Sequence, residues 1–292
     1  MIFYLLPFNL FCIVNILTID LEEWFQFFDD VYSNGKFKNY EVRIYENVER
    51  IFRLLEENDL RATFFVVGWI AKEYPDLVRR IAEKYEIGSH TDMHQLVYEQ
   101  GEKMFREDVS SSIKLLEDIS GKKVRCFRAP GFSITENEKW AFEVLAENGI
   151  EFDSSVFPSP RSHGGFPSYK SPVPSIIKYN GISLKELPIN YSTFLSKHII
   201  FSGGGYFRLF PYFMIKHWTK NSDYVMSYLH PRDFDSSQPM ISELSPLRKF
   251  KSYVGLKGAE KKFEKWVRDF EFVDINEADK LIDWSKVPVI EL

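Results

Sequence analysis

The chain has 292 residues, with 37 Lys+Arg against 42 Asp+Glu, a formal charge of −5 and 45% hydrophobic residues. This composition can fill a buried core, excludes a disordered chain, and presents no basic face for nucleic acid. The two cysteines, Cys12 and Cys126, are too few for a disulfide scaffold and stand in no metal-ligand spacing.

Residues 1–14 form an apolar lead-in, and no charge appears before Asp20. A signal peptide would need a basic n-region and a small-residue cleavage site, and neither is present. Pro7, Asn9 and Asn15 interrupt what would otherwise read as a span. The lead-in is therefore open to three readings: an interfacial anchor giving membrane association, a buried extra strand, or an over-extended start. With no signal peptide, the expected location is the cytoplasm or its membrane face, with the periplasm or exterior as the alternative.

From Asn15 onward strands and helices alternate. Asn15 to Ile19 reads as the first core strand, and Tyr45 to Asn58 has helical apolar spacing at Val48, Ile51, Phe52, Leu54 and Leu55. Ala62 to Val67 is a short apolar run suited to a strand buried on both faces. Pro75 to Lys84 begins a helix with proline, and Ile87 to His90 follows as a strand. Gly101 to Ser120 predicts a third helix, Val124 to Phe127 a strand, and Glu136 to Asn148 a fourth helix closed by Gly149. Ser154 to Gly205, rich in Pro, Ser and Gly, reads as a long loop system. Regularity returns at Phe210 to Trp218, at a late strand from Tyr224 to His230, and at a charged helix from Ala259 to Phe270. Phe272 to Asp274 is the expected final strand. The βα alternation argues for an α/β fold with a parallel sheet or barrel. Residues 15–292 read as one domain with a C-terminal extension from about residue 236.

Four segments at predicted strand ends carry chemistry. In Thr18-Ile19-Asp20-Leu21-Glu22-Glu23-Trp24, the strand period of two puts Asp20 and Glu22 on one side and Glu23 on the other. Two carboxylates then face one cavity, although an acidic turn capping a helix is the plain alternative. His90 and His94 are spaced i, i+4, which on a helix would aim two imidazoles at one ion. Such pairs are often incidental, but a carboxylate from the first segment would complete a two-His, one-carboxylate site. Arg128, followed by Pro130-Gly131-Phe132, suits a bidentate grip on a carboxylate, and His230 ends a late strand after Leu229. Each taken singly is commonly structural. Trp24, Phe132, Phe157, Tyr206 and Phe207 stand near these segments and could stack on sugar faces, though more aromatics are core than platform.

In their order and content these segments resemble the polysaccharide deacetylases of carbohydrate esterase family 4, the chitooligosaccharide-deacetylase homology group. The resemblance covers roughly Asn15 to Asp235: the acidic motif, His90-Thr91-Asp92-Met93-His94, Arg128-Ala129-Pro130, Asp153 in Phe152-Asp153-Ser154-Ser155, and Tyr228-Leu229-His230. It is stronger for a subgroup found with exopolysaccharide and capsule loci, through Thr18–Phe25, Phe127–Thr135, Asp153–Pro158, Gly203–Arg208 and Tyr228–Pro231. The resemblance implies a distorted, seven-stranded (β/α) barrel in a single domain with long loop insertions. It implies one divalent metal, zinc above all, and removal of N-acetyl groups from amino sugars of a polysaccharide or oligosaccharide.

By motif, His90 and His94 match metal ligands, Asp20 the catalytic base, Arg128 its orienting residue, His230 the general acid and Asp153 the carboxylate that tunes that acid. Gly131, Phe132, Tyr206, Trp24 and Leu229 fall at positions suited to substrate. The family's paired aspartates are here Asp20-Leu21, so the resemblance makes Glu22 the third ligand; Asp20 as ligand, with Glu22 or Glu23 as base, stays open. Two other readings compete: an amidohydrolase acting on a non-carbohydrate amide, and a catalytically silent sugar binder. The full set of acid, base and metal residues argues against the second.

Overall fold

Val14–Ile16 (β1) and Thr18–Leu21 (β2) are one strand run broken only at Leu17, and every residue of both is buried. They lie in a computed structural model that describes residues 13–26, 40–161 and 164–292. The lead-in therefore falls outside the described residues up to position 12. Among the described residues no helix is long and apolar enough to cross a membrane.

Parallel strands follow in order: Thr63–Val66 (β3), Glu86–Ser89 (β4), Cys126–Phe127 (β5) and Phe152–Asp153 (β6), each paired with its predecessor from β2 onward. Between them run helices Ile44–Glu57 (α1), Gly68–Glu73 (α2), Pro75–Lys84 (α3), Val97–Gln100 (α4), Glu102–Ser120 (α5) and Trp140–Glu147 (α6). The expected helices formed because their apolar residues fall on one face. In α1 Ile44, Val48, Ile51, Phe52, Leu54 and Leu55 are buried, and in α5 Phe105, Val109, Ile113 and Leu116. Each such side chain contributes roughly 1.5–3 kcal/mol of burial, which outweighs weak intrinsic helix propensity.

The segment Ser154–Gly205, expected as loop, contains four strands. Ser175–Tyr179 (β7) and Ile182–Glu186 (β8) form an antiparallel hairpin whose turn is Asn180-Gly181, both with positive φ. Ser192–Phe194 (β9) and Lys197–Ile199 (β10) make a second, smaller hairpin. β8 continues the parallel ladder from β6. After helices Gly204–Leu209 (α7) and Tyr212–Lys220 (α8), Tyr224–Met226 (β11) pairs parallel with β1, and Leu229 bridges Ile19.

The strand run β1/β2, then β3, β4, β5, β6, β8 and β11, thus curl into a distorted (β/α) barrel. Its seam is closed by side chains instead of a ladder. Met226 N donates to Asn190 Oδ1 at 3.0 Å, and Tyr224 OH donates to Pro188 O at 2.9 Å.

Helices Pro246–Tyr253 (α9), Leu256–Asp269 (α10) and Ile275–Leu281 (α11) follow, and the chain's last strand is Val289–Glu291 (β12), paired with β7. The expected final strand at Phe272–Asp274 reduces to one bridge, Val273 to Ile16. The segment after residue 236 packs on the barrel: Trp266 and Phe263 join the main core, and Leu17 N donates to Val273 O.

Candidate active site

The ends of β2, β4, β5 and β6 and the segment after β11 meet at one rim, the end where parallel barrels gather chemistry. Asp20 is fixed first. Its backbone N–H donates to Leu229 O at 2.8 Å, and Arg128 Nη1 donates to its Oδ1 at 2.6 Å. Arg128 is itself fully buried, donates to Thr18 Oγ1 and Ser154 Oγ, and lies 4.3 Å above the Phe65 ring. One carboxylate oxygen of Asp20 is thus held, and Oδ2 faces His230 Nε2 at 3.8 Å.

Glu22 lies on Asp20's side and Glu23 on the other, as the strand period predicts. Glu23 accepts from the backbone N–H groups of Trp24, Arg43 and Ile44, so it caps the start of α1 and takes no place in the site. Glu22 instead meets the histidines. Ligand atoms of Glu22, His90 and His94 all lie within 4.8 Å of one another, a group that could hold a metal ion.

His90 and His94 do not share a helix face. They sit on a turn after β4 in which Thr91 and His94 both adopt left-handed backbone, with φ of 65° and 57°. Such conformations cost on the order of 1 kcal/mol or more each, so the surroundings must enforce them. Thr91 Oγ1 accepts from His94 N, and Asp108 on α5 accepts from Asp92 N at 2.8 Å. Gly68 N donates to Thr91 O, and a Cβ on Gly68 would lie 2.9 Å from the backbone Cα of Asp92, so any larger residue there would push against the turn. The turn brings the two rings to 5.1 Å between centroids.

Protonation states suit a cation. Burial, helped by His94 and opposed by Asp20 and Glu22, pushes His90 down to about 4, so its imidazole is neutral at pH 7. Its Nδ1 donates to Arg128 O at 2.6 Å, which fixes the tautomer and leaves Nε2 for the site. Burial would raise Glu22, but His94, His230 and His90 together hold its carboxyl at about 2. Two buried atoms here, Glu22 Oε1 and His94 Nδ1, have no hydrogen-bond partner. These two orphaned atoms, one carboxylate oxygen and one imidazole nitrogen, together with the free Nε2 edge of His90, make a donor set that fits a small divalent ion such as zinc.

His230 begins the short turn Pro231–Phe234, and its carboxylate partner is Asp233, not Asp153. Asp233 Oδ2 accepts from His230 N at 2.9 Å and lies 3.2 Å from Nδ1, while Oδ1 is 3.0 Å from Arg208 Nε. Burial opposes charge on His230, but the Asp233 hydrogen bond and the charges of Glu22, Asp233 and Asp20 raise it to about 9. Asp233 itself is kept at about 2, because Arg208 and His230 outweigh its burial.

Asp153 lies under the rim. Its Oδ1 accepts from Ser155 Oγ, and it interacts with the buried carboxyl of Glu186 on β8, which itself accepts from Val156 N. Burial and the Asp153 charge push the Glu186 carboxyl well up, and burial raises Asp153 as well.

The expected substrate residues divide. Tyr206 is 41% exposed and lines a cavity of about 490 Å³ beside His230, and Gly131 is exposed at the rim turn. Trp24, Phe132 and Leu229 are not contact surfaces. Trp24 packs buried against Phe25 and Tyr40 with its Nε1 donating to Glu41 O; Phe132 is buried edge-on to Tyr228; Leu229 is buried and spends both backbone groups on Asp20 and Thr18. Asp233, Glu186 and Arg208 were missed. Asp233 had a readable signal: proline after His230 and an acid three residues on is a helix-start pattern, and here it serves the histidine.

Residues 21–152 match the family described as polysaccharide deacetylase, and residues 154–280 match a domain of unknown function, DUF3473. Over 100 residues, 34% of this chain and 36% of the relative, the chain is 33% identical to a peptidoglycan-N-acetylglucosamine deacetylase of Bacillus cereus. Over 82 residues, 27% of this chain and 39% of the relative, it is 38% identical to a chitooligosaccharide deacetylase of Azorhizobium caulinodans. These matches thus span well under half of either relative's length. A Mycobacterium smegmatis structure provisionally assigned as a polysaccharide deacetylase superposes with a TM-score of 0.65 at 18% identity, covering 96% of this chain and 93% of that one. That likeness is one of fold.

Proposed function

We propose, from the premise that this chain carries a polysaccharide deacetylase domain of carbohydrate esterase family 4, that it is a metal-dependent hydrolase removing N-acetyl groups from amino sugars of a bacterial-type polysaccharide or its precursor. One observation carries the reading: Asp20, held by Arg128, and His230, held by Asp233, stand 3.8 Å apart beside the Glu22/His90/His94 group. A structural ion cluster needs no aimed acid and base, whereas amide hydrolysis needs both.

Glu22, His90 and His94 would hold the ion, with zinc the best match to the donor set. When bound it would polarise the acetyl carbonyl and lower the pKa of water toward neutrality. Asp20 Oδ2 takes the proton from the attacking water, because Arg128 occupies Oδ1 and fixes the carboxylate plane. Phe132 N already donates to Ala129 O, so the exposed Gly131 offers this turn's backbone N–H to the developing oxyanion. His230, raised to about 9, is protonated at neutral pH and delivers its Nε2 proton to the departing amine. An amine is too basic to leave unprotonated, so this proton decides the direction of collapse.

The test is acetate release from chitohexaose and from an acetylated exopolysaccharide, before and after chelation and zinc return. Loss on chelation, recovery on return and silence of Asp20→Asn are expected. Acetate release untouched by exhaustive chelation would overturn the metal-dependent reading, and no release from any N-acetylated glycan would overturn the deacetylase one.

A further inference from the structure

The cavity beside His230 carries a charge imbalance that the reaction does not use. Its lining contains Arg161, Arg208, Arg232 and Lys251 but a single carboxylate, Asp233, in a chain whose overall charge is negative. Asp233 is taken by Arg208 and His230. Arg161 is exposed, and among the described residues no acidic side chain pairs with it or with exposed Lys251.

Arg161 is nonetheless held in place. Its guanidinium lies 5.5 Å from the centroids of both Phe132 and Phe157, two buried rings that steer it without satisfying its donors. A fork of N–H donors, oriented and unpaired, is suited to an oxyanion such as a carboxylate or phosphate. Exposed Tyr206 and Phe250 flank the same space and suit the faces of sugar rings. Burial and the Arg208 charge also push Arg232 down to about 10, which is consistent with a positive field across the cavity.

If His230 protonates the leaving amine, the glycan chain of that amine extends to His230's side, into this cavity. We infer that the cavity is a subsite for an anionic sugar neighbour, with Arg161 as the residue that selects a carboxylate- or phosphate-bearing glycan over a neutral one. The location of the leaving sugar rests on the deacetylase reading; the anion preference rests on Arg161 and its surroundings alone.

Binding is measured by calorimetry on the Asp20→Asn protein, so that no ligand is consumed. The probes are chitohexaose, a hexasaccharide alternating glucuronate with N-acetylglucosamine, and N-acetylglucosamine 1-phosphate. Adding Arg161→Gln should weaken an anionic probe by about tenfold at low salt and leave chitohexaose within about twofold. Arg161→Lys should recover part of the loss, since it keeps charge but not the fork. Loss confined to the uronate probe assigns a carboxylate, and loss confined to the phosphate probe assigns a phosphate. Equal loss on all three probes, or wild-type binding of both anionic probes no tighter than chitohexaose, would overturn the subsite. Acetate release by the wild-type protein is scored separately. Its absence beside an intact anion preference sinks the deacetylase reading and leaves the subsite standing.

Discussion

Asp233→Asn separates the acid's support from the rest of the site, because it keeps the side chain's shape and removes only its charge. His230 is lifted from 6.5 to about 9, a rise of roughly 2.5 pH units or about 3 kcal/mol. Three carboxylates supply it: Asp233 at 3.2 Å with a hydrogen bond, and Glu22 and Asp20 at 3.8 Å without one. Asp233 should therefore account for the largest share, about 1–2 units. At pH 8 the wild-type imidazole would be about nine-tenths protonated; at a pKa of ~7.5 it would be about one-quarter protonated.

The alkaline limb of the pH–rate profile should move down by about 1–2 pH units, with activity near pH 6 largely kept. Stability carries the same signature. A histidine whose folded pKa is raised stabilises the fold fully below 6.5 and loses that contribution as pH rises through about 9. The variant's deficit should then be larger at pH 6 than above pH 9, on top of a pH-independent cost from leaving Arg208 without its partner. Imidazole titration by NMR reads His230 directly. An unmoved limb and titration in Asp233→Asn, or an equal displacement in Asp153→Asn, would refute the assignment and return the tuning role to Asp153.

Glu22→Gln should lose most bound zinc by elemental analysis, whereas Asp20→Asn should keep it and lose about 10²–10⁴-fold in turnover; exchanged outcomes would reverse ligand and base. Arg128→Met leaves Asp20 buried without its counter-charge, so chemical denaturation should show a loss of about 3–5 kcal/mol. A loss below about 1 kcal/mol would mean that water reaches Asp20. Gly203→Ala places a Cβ 2.1 Å from Tyr228 O, two residues before His230, while the extended backbone there tolerates alanine. It should cost about 1–3 kcal/mol and lower kcat with metal content unchanged; wild-type kcat would show that the Tyr228 strand can shift without disturbing the acid.

Much of the barrel was legible because its helices are amphipathic and its strands are short apolar runs. Pro75–Lys84 was read to the residue, and α1 and α5 to within one. The β7–β8 hairpin was missed although Tyr179-Asn180-Gly181-Ile182 carries a standard turn signal; the Pro- and Ser-rich stretch before it concealed the change. At the site, Asp20 and Glu22 followed from strand period. The histidine pair was found by spacing but for the wrong reason, since a left-handed turn and not a helix aligns the rings. Trp24 shows the limit of composition: an aromatic beside catalytic acids looks like a platform, yet its indole N–H is satisfied by Glu41 O inside a small aromatic cluster. Only tertiary packing distinguishes the two.

The division of the chain between its two matched regions bears on where its specificity arises. The possible ligands Glu22, His90 and His94, together with Arg128, fall in residues 21–152. His230, Asp233, Arg208 and Arg161 fall in residues 154–280, with Asp20 and Asp153 at the outer margins of the first region. The second region cannot be an appendage, because β8 and β11 are strands of the same barrel and β11 pairs with the very run that delivers Asp20. Leu229 makes the coupling concrete: its carbonyl holds Asp20 N, and the next residue is His230, the proposed proton donor. Asp20 and His230 are thus set at a fixed separation by one pair of backbone hydrogen bonds. On the proposed mechanism the first region would supply the ligands, and the base at its margin, which would meet only the acetyl group. The second would supply the acid and the cavity beyond it, which on the same proposal would meet the sugar. On this division, differences in substrate among chains with the same metal-site motifs are to be sought in the second region, and here in Arg161 before any residue of the motifs.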